Sequence, residues 1–331
     1  MAKRGKVAQN KSQVIAELPL ACSSEGAAVE MMEWLRWGDS PACPRCGDTD
    51  VYRMTSRQTG ERNKRYLWRC RGCRDQYTVR IGTVFEDSRI PLRFWCYAFW
   101  KACSSKKGVS AKQIERETGL SYKSALFLMH RIRWAMAEEP GELLRGVVEI
   151  DETFVGGKPR KGSAPWHHMR PDQRRRGPAP DFKDRKTPVV AMVERGGRVR
   201  AVTPERITAA ALRHTVFGSV DRSARIMTDE RPMYRHIGKH YAGHDVVNHS
   251  RNEYVRGDVT TNTVEGFFSL LKRGVYGTFH SVSRWHLHRY VSEFAFRWNT
   301  RTLEDGARMQ RAIQSAEGKR LRYRAPREGE E

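Results

Sequence analysis

The stretch VVEIDETFVGG, residues 147–157, begins as a buried strand and then places an acidic pair where a sheet requires apolar surface. Residues 147–150 are mostly β-branched, which favours a strand. Asp151 and Glu152 follow at once, and a carboxylate in a buried position is costly unless its charge is compensated. Two explanations stay open at this point: the acids lie on a solvated strand face, or they hold a metal ion.

Short β-rich runs and two amphipathic helices follow this stretch. The runs are PVVAMVE, VRAVT and ARIMT, and the helices are predicted near residues 261–273 and 283–300. Together they predict a domain of strands and helices over residues 145–302. Residues 158–186 interrupt it as a basic, Gly- and Pro-containing insertion that is either a DNA-binding loop or a solvated connector. Its candidate DNA contacts are Arg174, Arg175 and Arg176.

The overall charge indicates a polyanionic partner. The 331 residues include 61 Lys and Arg against 38 Asp and Glu, which gives a formal net charge of +23. Nucleic acid is the first candidate partner and a membrane surface the second. No apolar run approaches the roughly 20 residues needed to span a bilayer. The basic start of the chain lacks the apolar core of a signal peptide, so a cytoplasmic, nucleoid-associated protein is expected.

Four cysteines have the spacing of a structural zinc site. CPRC and CRGC, separated by the 23 residues from Gly47 to Arg69, form a CxxC…CxxC pattern made of Cys43, Cys46, Cys70 and Cys73. Four thiolates satisfy tetrahedral Zn²⁺ and leave no open position, so the ion would be structural. The intervening residues alternate as a hairpin does, which predicts a zinc ribbon over residues 41–88. The alternative is two unrelated pairs of free thiols.

A helix-turn-helix is predicted within a helical segment, residues 89–140. Residues 110–136 contain a first helix, a tight turn at Gly119 and a second helix capped by Ser121. In that plan the second helix enters the major groove of DNA. The alternative is an ordinary helical hairpin with a polar side. The predicted DNA-contacting side chains of the second helix are Lys123, His130 and Arg131.

Two further acids occupy positions similar to that of Asp151. Asp229 ends a β-rich run, and Glu265 lies on a helix beside its buried apolar stripe, with Lys272 two turns along the same face. Converging carboxylates repel one another, and hard cations such as Mg²⁺ relieve that repulsion. Each acid alone is also explained as an ordinary strand-end or helix-surface charge, so the metal hypothesis depends on all three.

These motifs resemble a known family. Asp151, Asp229 and Glu265, with 35 residues between the last two, resemble the acidic triad of DDE transposases and retroviral integrases. The cysteine ribbon, EIDETFVGGK, TDE and HSRNEYVRGDVTTNTVEGFFSLLKRGVYGTFH are similar to the insertion-sequence transposases of the ISXO-like branch. The resemblance implies an RNase H-like domain with a mixed sheet, in which the acids lie on strands one and four and on a later helix.

The resemblance also assigns roles to residues. The three acids would bind two Mg²⁺ or Mn²⁺ ions, and Lys272, with the adjacent Arg273, would contact DNA. Asn262 and His249 fall in matching motifs and are possible supports of the active site. The expected fold is multidomain α+β: a basic arm and short helix (residues 1–40), the zinc ribbon, the helix-turn-helix, the RNase H-like domain and a charged, loose or weakly helical tail (residues 303–331).

The implied function is a DNA transposase. It would bind the terminal inverted repeats of an insertion sequence as double-stranded DNA, cut there, and join the freed 3′ end to target DNA, acting as a homodimer or higher oligomer. An RNase H-like nuclease would cut without joining. A DNA-binding regulator would have the zinc ribbon and helix-turn-helix but no use for three converging acids.

Overall fold

The computed structural model describes residues 14–138, 141–156, 186–251 and 253–321. The chain divides into two compact units. One unit contains the N-terminal residues up to Glu138 together with the C-terminal residues from Thr300 onward, and the other runs from Glu139 to Asn299. The predicted basic insertion lies outside the described residues.

A small three-stranded antiparallel sheet carries the cysteines. Its strands are β1 (Val51–Arg53), β2 (Trp68–Cys70) and β3 (Gln76–Tyr77), in the order β1-β2-β3. The hairpin predicted between the two cysteine pairs is therefore present. Its apolar core is small, formed by Trp68 and Tyr77 with Cys43 and Cys70, and Trp37 packs against it. A core of this size seldom stabilises a fold without a metal ion or disulfides.

Helices complete the first unit. They are α1 (residues 14–23), α2 (Glu25–Trp37), α3 (Leu92–Ser104), α4 (Ala111–Thr118), α5 (Tyr122–Ala135) and α10 (Asp305–Gln314). The helix-turn-helix of α4 and α5 has the predicted local chemistry. Ser121 caps α5 by accepting from the backbone N–H of Ser124, and Gly119 ends α4 with φ of 72°, which costs glycine no steric strain.

The predicted charged tail, expected to be loose or weakly helical, contains the packed helix α10. Met309, Ala312, Ile313 and Ala316 are buried, and α10 packs against α2 and α3. Charged residues on its other side hide this apolar stripe from an analysis of composition alone. Within the described residues, no helix is long and apolar enough to cross a membrane.

A five-stranded mixed sheet organises the second unit. Its strands are β4 (Val147–Val155), β5 (Thr187–Glu194), β6 (Val199–Val202), β7 (Arg225–Thr228) and β8 (Gly243–Val246). Their order is β6-β5-β4-β7-β8, with β4 antiparallel to β5 and parallel to β7. The strand order therefore reverses between β4 and β7, and such a reversal is where open α/β sheets commonly bind ligands. The mixed sheet confirms the predicted fold class.

The two faces of this sheet pack against different helices. One face packs on α8 (Asn262–Gly274) and α9 (Leu287–Asn299), and the other packs near α6 (Ala209–Phe217) and α7 (Pro232–Gly238). The short hairpin of β9 (Val255–Arg256) and β10 (Val259–Thr260) leads directly into α8. Successive residues of β4 alternate between these two faces.

Candidate active site and zinc site

The four predicted zinc ligands lie in one cluster. The sulfur atoms of Cys43, Cys46, Cys70 and Cys73 all lie within 4.8 Å of one another. Cys43 and Cys73 are 3.7 Å apart, and Cys46 and Cys70 are 3.6 Å apart. Tetrahedral zinc with Zn–S distances of about 2.3 Å requires sulfur separations of about 3.8 Å. The cluster therefore fits a structural Zn²⁺ ion.

The ionisation of these thiols also favours a bound cation. Burial opposes the Cys43 thiolate, but hydrogen bonds from the backbone N–H groups of Cys46 and Arg45 outweigh it and lower the pKa of Cys43 to about 7. A backbone hydrogen bond from Asp75 favours the Cys73 thiolate, yet burial and the neighbouring sulfurs outweigh it and raise the pKa of Cys73 to about 12. Four thiolates at these separations are stable together only around a positive ion.

Strand β4 contains three acids, which the sheet separates onto its two faces. Glu149 and Asp151 pair with Val193 and Ala191, two residues of the apolar cluster under α8 and α9. Glu152 projects to the opposite face because side chains alternate along a strand. Asp151 is half-buried, and its Oδ1 accepts from the backbone N–H of Glu152 at 2.7 Å. The acidic pair therefore consists of residues with different surroundings.

Glu152 is fully compensated on its own face. The hydroxyl of Tyr234 donates to Glu152 Oε2 at 2.5 Å, and Arg231 forms an ion pair with Glu152 Oε1. Burial raises the pKa of Tyr234 well above its usual value, and the negative charges of Asp151 and Asp229 raise it further. Both aspartates therefore lie close enough to one buried phenol to influence its ionisation.

The register of the sheet relates Asp151 to Asp229. In the parallel pair β4–β7, Val147 is opposite Arg225 and Glu149 is opposite Met227. A further step of two residues along each strand leads to Asp151 and to Asp229, which follows the end of β7. Neighbouring strands are about 4.8 Å apart. Asp229 also accepts from the backbone N–H of Arg231 at 3.1 Å, and its Oδ2 is 3.3 Å from Arg231 Nε.

Glu149 connects β4 to the start of α8. Its Oε2 accepts from the backbone N–H of Thr263 at 2.7 Å and from that of Val264 at 3.1 Å, and its Oε1 accepts from Thr263 Oγ1 at 2.9 Å. Arg195 Nε donates to the same carboxylate at 2.7 Å. Glu149 is not among the predicted site residues, although the acid is visible in VEIDE two residues before Asp151.

Glu265 lies in the first turn of α8 with an exposed side chain. Thr261 Oγ1 donates to Glu265 Oε1 at 3.4 Å. Further along the helix, Lys272 is half-buried and Arg273 is exposed, while Asn262 is exposed at the first position of α8. Among the described residues, the four cysteines are the only group of three or more potential ligands placed closely enough to hold one metal ion. The three acids are therefore not gathered that closely.

Two of the predicted DNA contacts on α5 are buried. His130 is 5% exposed and Arg131 is 6% exposed. Arg131 Nη1 donates to the backbone carbonyls of Val84 and Glu86, both at 2.8 Å, so it fixes the loop before α3. The prediction of these two side chains on a DNA-contacting face was wrong, because the C-terminal half of α5 is covered on that side. Lys123, near the start of α5, is exposed.

Several predicted residues lie outside the described side chains. Arg174, Arg175 and Arg176 belong to the segment that the structure does not describe. The backbone of His249 lies in the 3₁₀ turn His249–Arg251, but its side chain is outside the described part of the chain.

Two protein-family models match the chain. The model of the ISXO2-like transposase domain matches residues 143–299, and that of the transposase zinc-ribbon domain matches residues 23–76. The first match covers the five-stranded sheet with α6 to α9, and the second covers α2 and the cysteine cluster.

One relative and one solved structure show the extent of the similarity. The chain is 31% identical over 278 residues to the uncharacterized protein in transposable element ISH50 of Halobacterium salinarum, which covers 83% of this chain and 90% of that protein. A cryo-EM structure of the simian T-cell lymphotropic virus intasome in complex with PP2A regulatory subunit B56 gamma aligns with 55% of this chain and 63% of that chain, at 14% identity and a TM-score of 0.27. A TM-score this low supports no inference about fold or function.

Proposed function

The chain belongs to the ISXO2-like transposase family, and from that premise we propose that it cuts the ends of an insertion sequence and joins them to target DNA. The observation that carries this proposal is the parallel register of β4 and β7, which, continued by two residues beyond Glu149 and Met227, leads to Asp151 and to Asp229 just after the end of β7. Asp151 lies within β4, and Asp229 directly follows the last residue of β7.

The proposed metal ligands are Asp151, Asp229 and Glu265. Carboxylate oxygens are the ligands that Mg²⁺ and Mn²⁺ take in proteins, so the chemistry of these donors fits such ions. Two Mg²⁺ ions would activate the attacking oxygen and stabilise the leaving oxygen of a phosphodiester. The three acids do not form a group placed closely enough to hold one ion in the described residues, so the exposed side chain of Glu265 would turn towards the two aspartates when ions and DNA bind.

Other residues of the second unit would position the DNA. Lys272 and Arg273 follow Glu265 by two turns on α8, where their charges favour contact with a phosphate. Arg231 holds Asp229 and Glu152 and neutralises part of the acidic charge around them. These cations would reduce the repulsion between the acids and the DNA backbone.

The first unit is proposed to bind the terminal inverted repeats. At the start of α5, Tyr122 is 47% exposed, Lys123 is exposed, and Lys112 of α4 lies 5.7 Å from the centroid of the Tyr122 ring. This exposed corner is where a helix-turn-helix contacts the major groove. Because two ends must be joined in one event, we expect a dimer or a larger assembly on DNA.

The full chain incubated with labelled element ends, target DNA and Mg²⁺ tests this proposal. Cleavage followed by strand transfer is the expected result. Cleavage without joining would indicate a nuclease, and binding without cleavage would indicate a regulator; either result would contradict the proposed reaction. Omission of Mg²⁺ is the control and should stop both steps.

A further inference from the structure

The buried carboxylate of Glu149 replaces a missing helix cap. Thr261, the residue before α8, makes no capping hydrogen bond with its side chain, although threonine commonly does so. Glu149, on β4, instead accepts from the backbone N–H groups of Thr263 and Val264. Its side chain is 0% exposed. A negative charge at a helix N-terminus is favourable because the unpaired N–H groups there carry partial positive charge.

Arg195 extends the same connection to the segment before α8. Besides its ion pair with Glu149, its Nη1 donates to the carbonyl of Asp258 at 2.7 Å and its Nη2 to that of Thr260 at 3.1 Å. Both carbonyls belong to the β9–β10 hairpin and its connection to α8. The ion pair therefore fixes the segment that enters the helix as well as the first turn of the helix itself.

Glu149 connects the two elements that carry Asp151 and Glu265, both proposed metal ligands. Asp151 is two residues further along the same strand and on the same face, and Glu265 directly follows Val264, whose N–H group Glu149 accepts. We propose that Glu149 is a positioning residue. By holding the first turn of α8 against β4, it fixes the position of Glu265 relative to Asp151 and thereby sets the affinity of the site for divalent cations. This inference depends on the proposed function, in which both acids are metal ligands.

Glutamine cannot take over this role. Glu149 accepts four hydrogen bonds, two on each oxygen, from three N–H groups and a hydroxyl. A glutamine amide has one oxygen, so its NH₂ group would face at least one of these donors. Either α8 or Arg195 would then shift away from β4. Glu265 would move with α8, whereas the fold of the sheet would remain.

The second unit contains a matched control. Glu293 on α9 is also 0% exposed and accepts from Arg297 Nη2 at 2.8 Å, but α9 carries none of the proposed ligands. Both Glu149→Gln and Glu293→Gln remove a buried charge that is paired with an arginine. Both substitutions should therefore destabilise the protein, while only Glu149→Gln should weaken the metal site.

The test measures Mn²⁺ binding by electron paramagnetic resonance, with the zinc-loaded full chain bound to element-end DNA. Glu149→Gln should weaken Mn²⁺ binding by about 10- to 100-fold, the usual effect of removing a group that orients a metal ligand. Glu293→Gln should change it less than about twofold if it acts on stability alone. Circular dichroism establishes that each variant is folded under the conditions of the assay.

The measurements distinguish a failure of the inference about Glu149 from a failure of the proposed metal site. Equal Mn²⁺ affinity in Glu149→Gln and Glu293→Gln would overturn the inference about Glu149. Unchanged affinity in Asp151→Asn would instead contradict the proposed metal site, which distinguishes the two failures. If Glu149→Gln does not fold, Arg195→Gln replaces it, since Arg195 is partly exposed and holds the same segment. Wild-type affinity in Arg195→Gln would then overturn the inference.

Discussion

At the scale of single residues, adjacent acids in one strand have opposite environments. Glu152 is buried and paired with Tyr234 and Arg231, so its charge is used within the fold. Asp151 lies half-buried on the other face, two residues beyond a carboxylate that caps α8. Of the two adjacent acids in β4, Asp151 is therefore the residue suited to bind a ligand and Glu152 the one suited to a structural role.

Asp151→Asn should abolish cleavage of element ends and leave their binding nearly intact. The amide keeps the size of the side chain but removes the negative charge that a divalent cation requires. A gel assay with labelled ends measures both properties in one sample. Glu142→Gln is the control, because the Glu142 side chain is 90% exposed in the same unit and should be dispensable. Cleavage at the wild-type rate by Asp151→Asn would refute the ligand role.

Tyr234→Phe should lower the free energy of unfolding by about 1–3 kcal/mol, because the buried Glu152 carboxylate loses a hydrogen-bond donor. Tyr241→Phe is the matched control. The Tyr241 hydroxyl donates only to backbone carbonyls, those of Val216 at 3.2 Å and Val220 at 3.5 Å. Its loss should cost less, about 0.5–1.5 kcal/mol. Chemical denaturation measures both losses of unfolding free energy. Equal losses would contradict the larger contribution predicted for the hydrogen bond from Tyr234 to Glu152.

At the scale of elements, α8 is positioned by contacts at both of its ends. Glu149 and Arg195 hold its first turn, and Gly274 at its last turn approaches the ring of Phe294 on α9. Between these ends, Val264, Phe267 and Leu271 form the buried stripe predicted from the 3.6-residue period. The direction of the helix that carries Glu265 is therefore determined by its two termini together with this stripe.

Two alanine substitutions on α8 should have opposite effects on stability. A Cβ at position 274 would lie 1.9 Å from Phe294 Cζ, so Gly274→Ala should destabilise the protein by about 1–3 kcal/mol through overpacking. A Cβ at position 266 would have its nearest neighbour, Trp298, at 3.9 Å. Gly266→Ala should therefore stabilise the helix by about 0.5–1 kcal/mol. Thermal unfolding of both variants checks the signs, and two changes of the same sign would contradict the packing described.

At the scale of the whole molecule, charge and metal binding matter most. With a formal charge of +23, the proposed binding to DNA should weaken steeply with salt, because it releases counterions from the phosphates. The three-stranded sheet has few buried apolar residues. An ion bound by the cysteine cluster would therefore supply the folding free energy that a larger apolar core supplies in other domains. The five-stranded sheet has apolar clusters on both faces and needs no such ion for its fold.

Cys43→Ser should release zinc from the protein and lower the temperature of unfolding of the ribbon. A serine hydroxyl is a poor zinc ligand, and the remaining three thiols cannot complete the tetrahedron. Zinc content of the purified protein is measured by mass spectrometry. Cys22→Ser is the control, because Cys22 is not part of the cluster and should leave the zinc content unchanged. Full zinc occupancy in Cys43→Ser would rule out the four-cysteine site.

The sequence by itself determined those secondary-structure elements and residue groups whose members lie close together along the chain. The strands β4 to β7, the cap of α5, the turn at Gly119 and the two CxxC pairs all follow from interactions within a few residues. Only the tertiary structure decided which elements cover each side chain. The tertiary structure buries His130 and Arg131. It also brings Glu149 to the first turn of α8, although Thr263 in that turn lies 114 residues further along the chain. Periodicity establishes which side of an element a residue occupies, but the partner on that side is set by packing between segments distant in sequence.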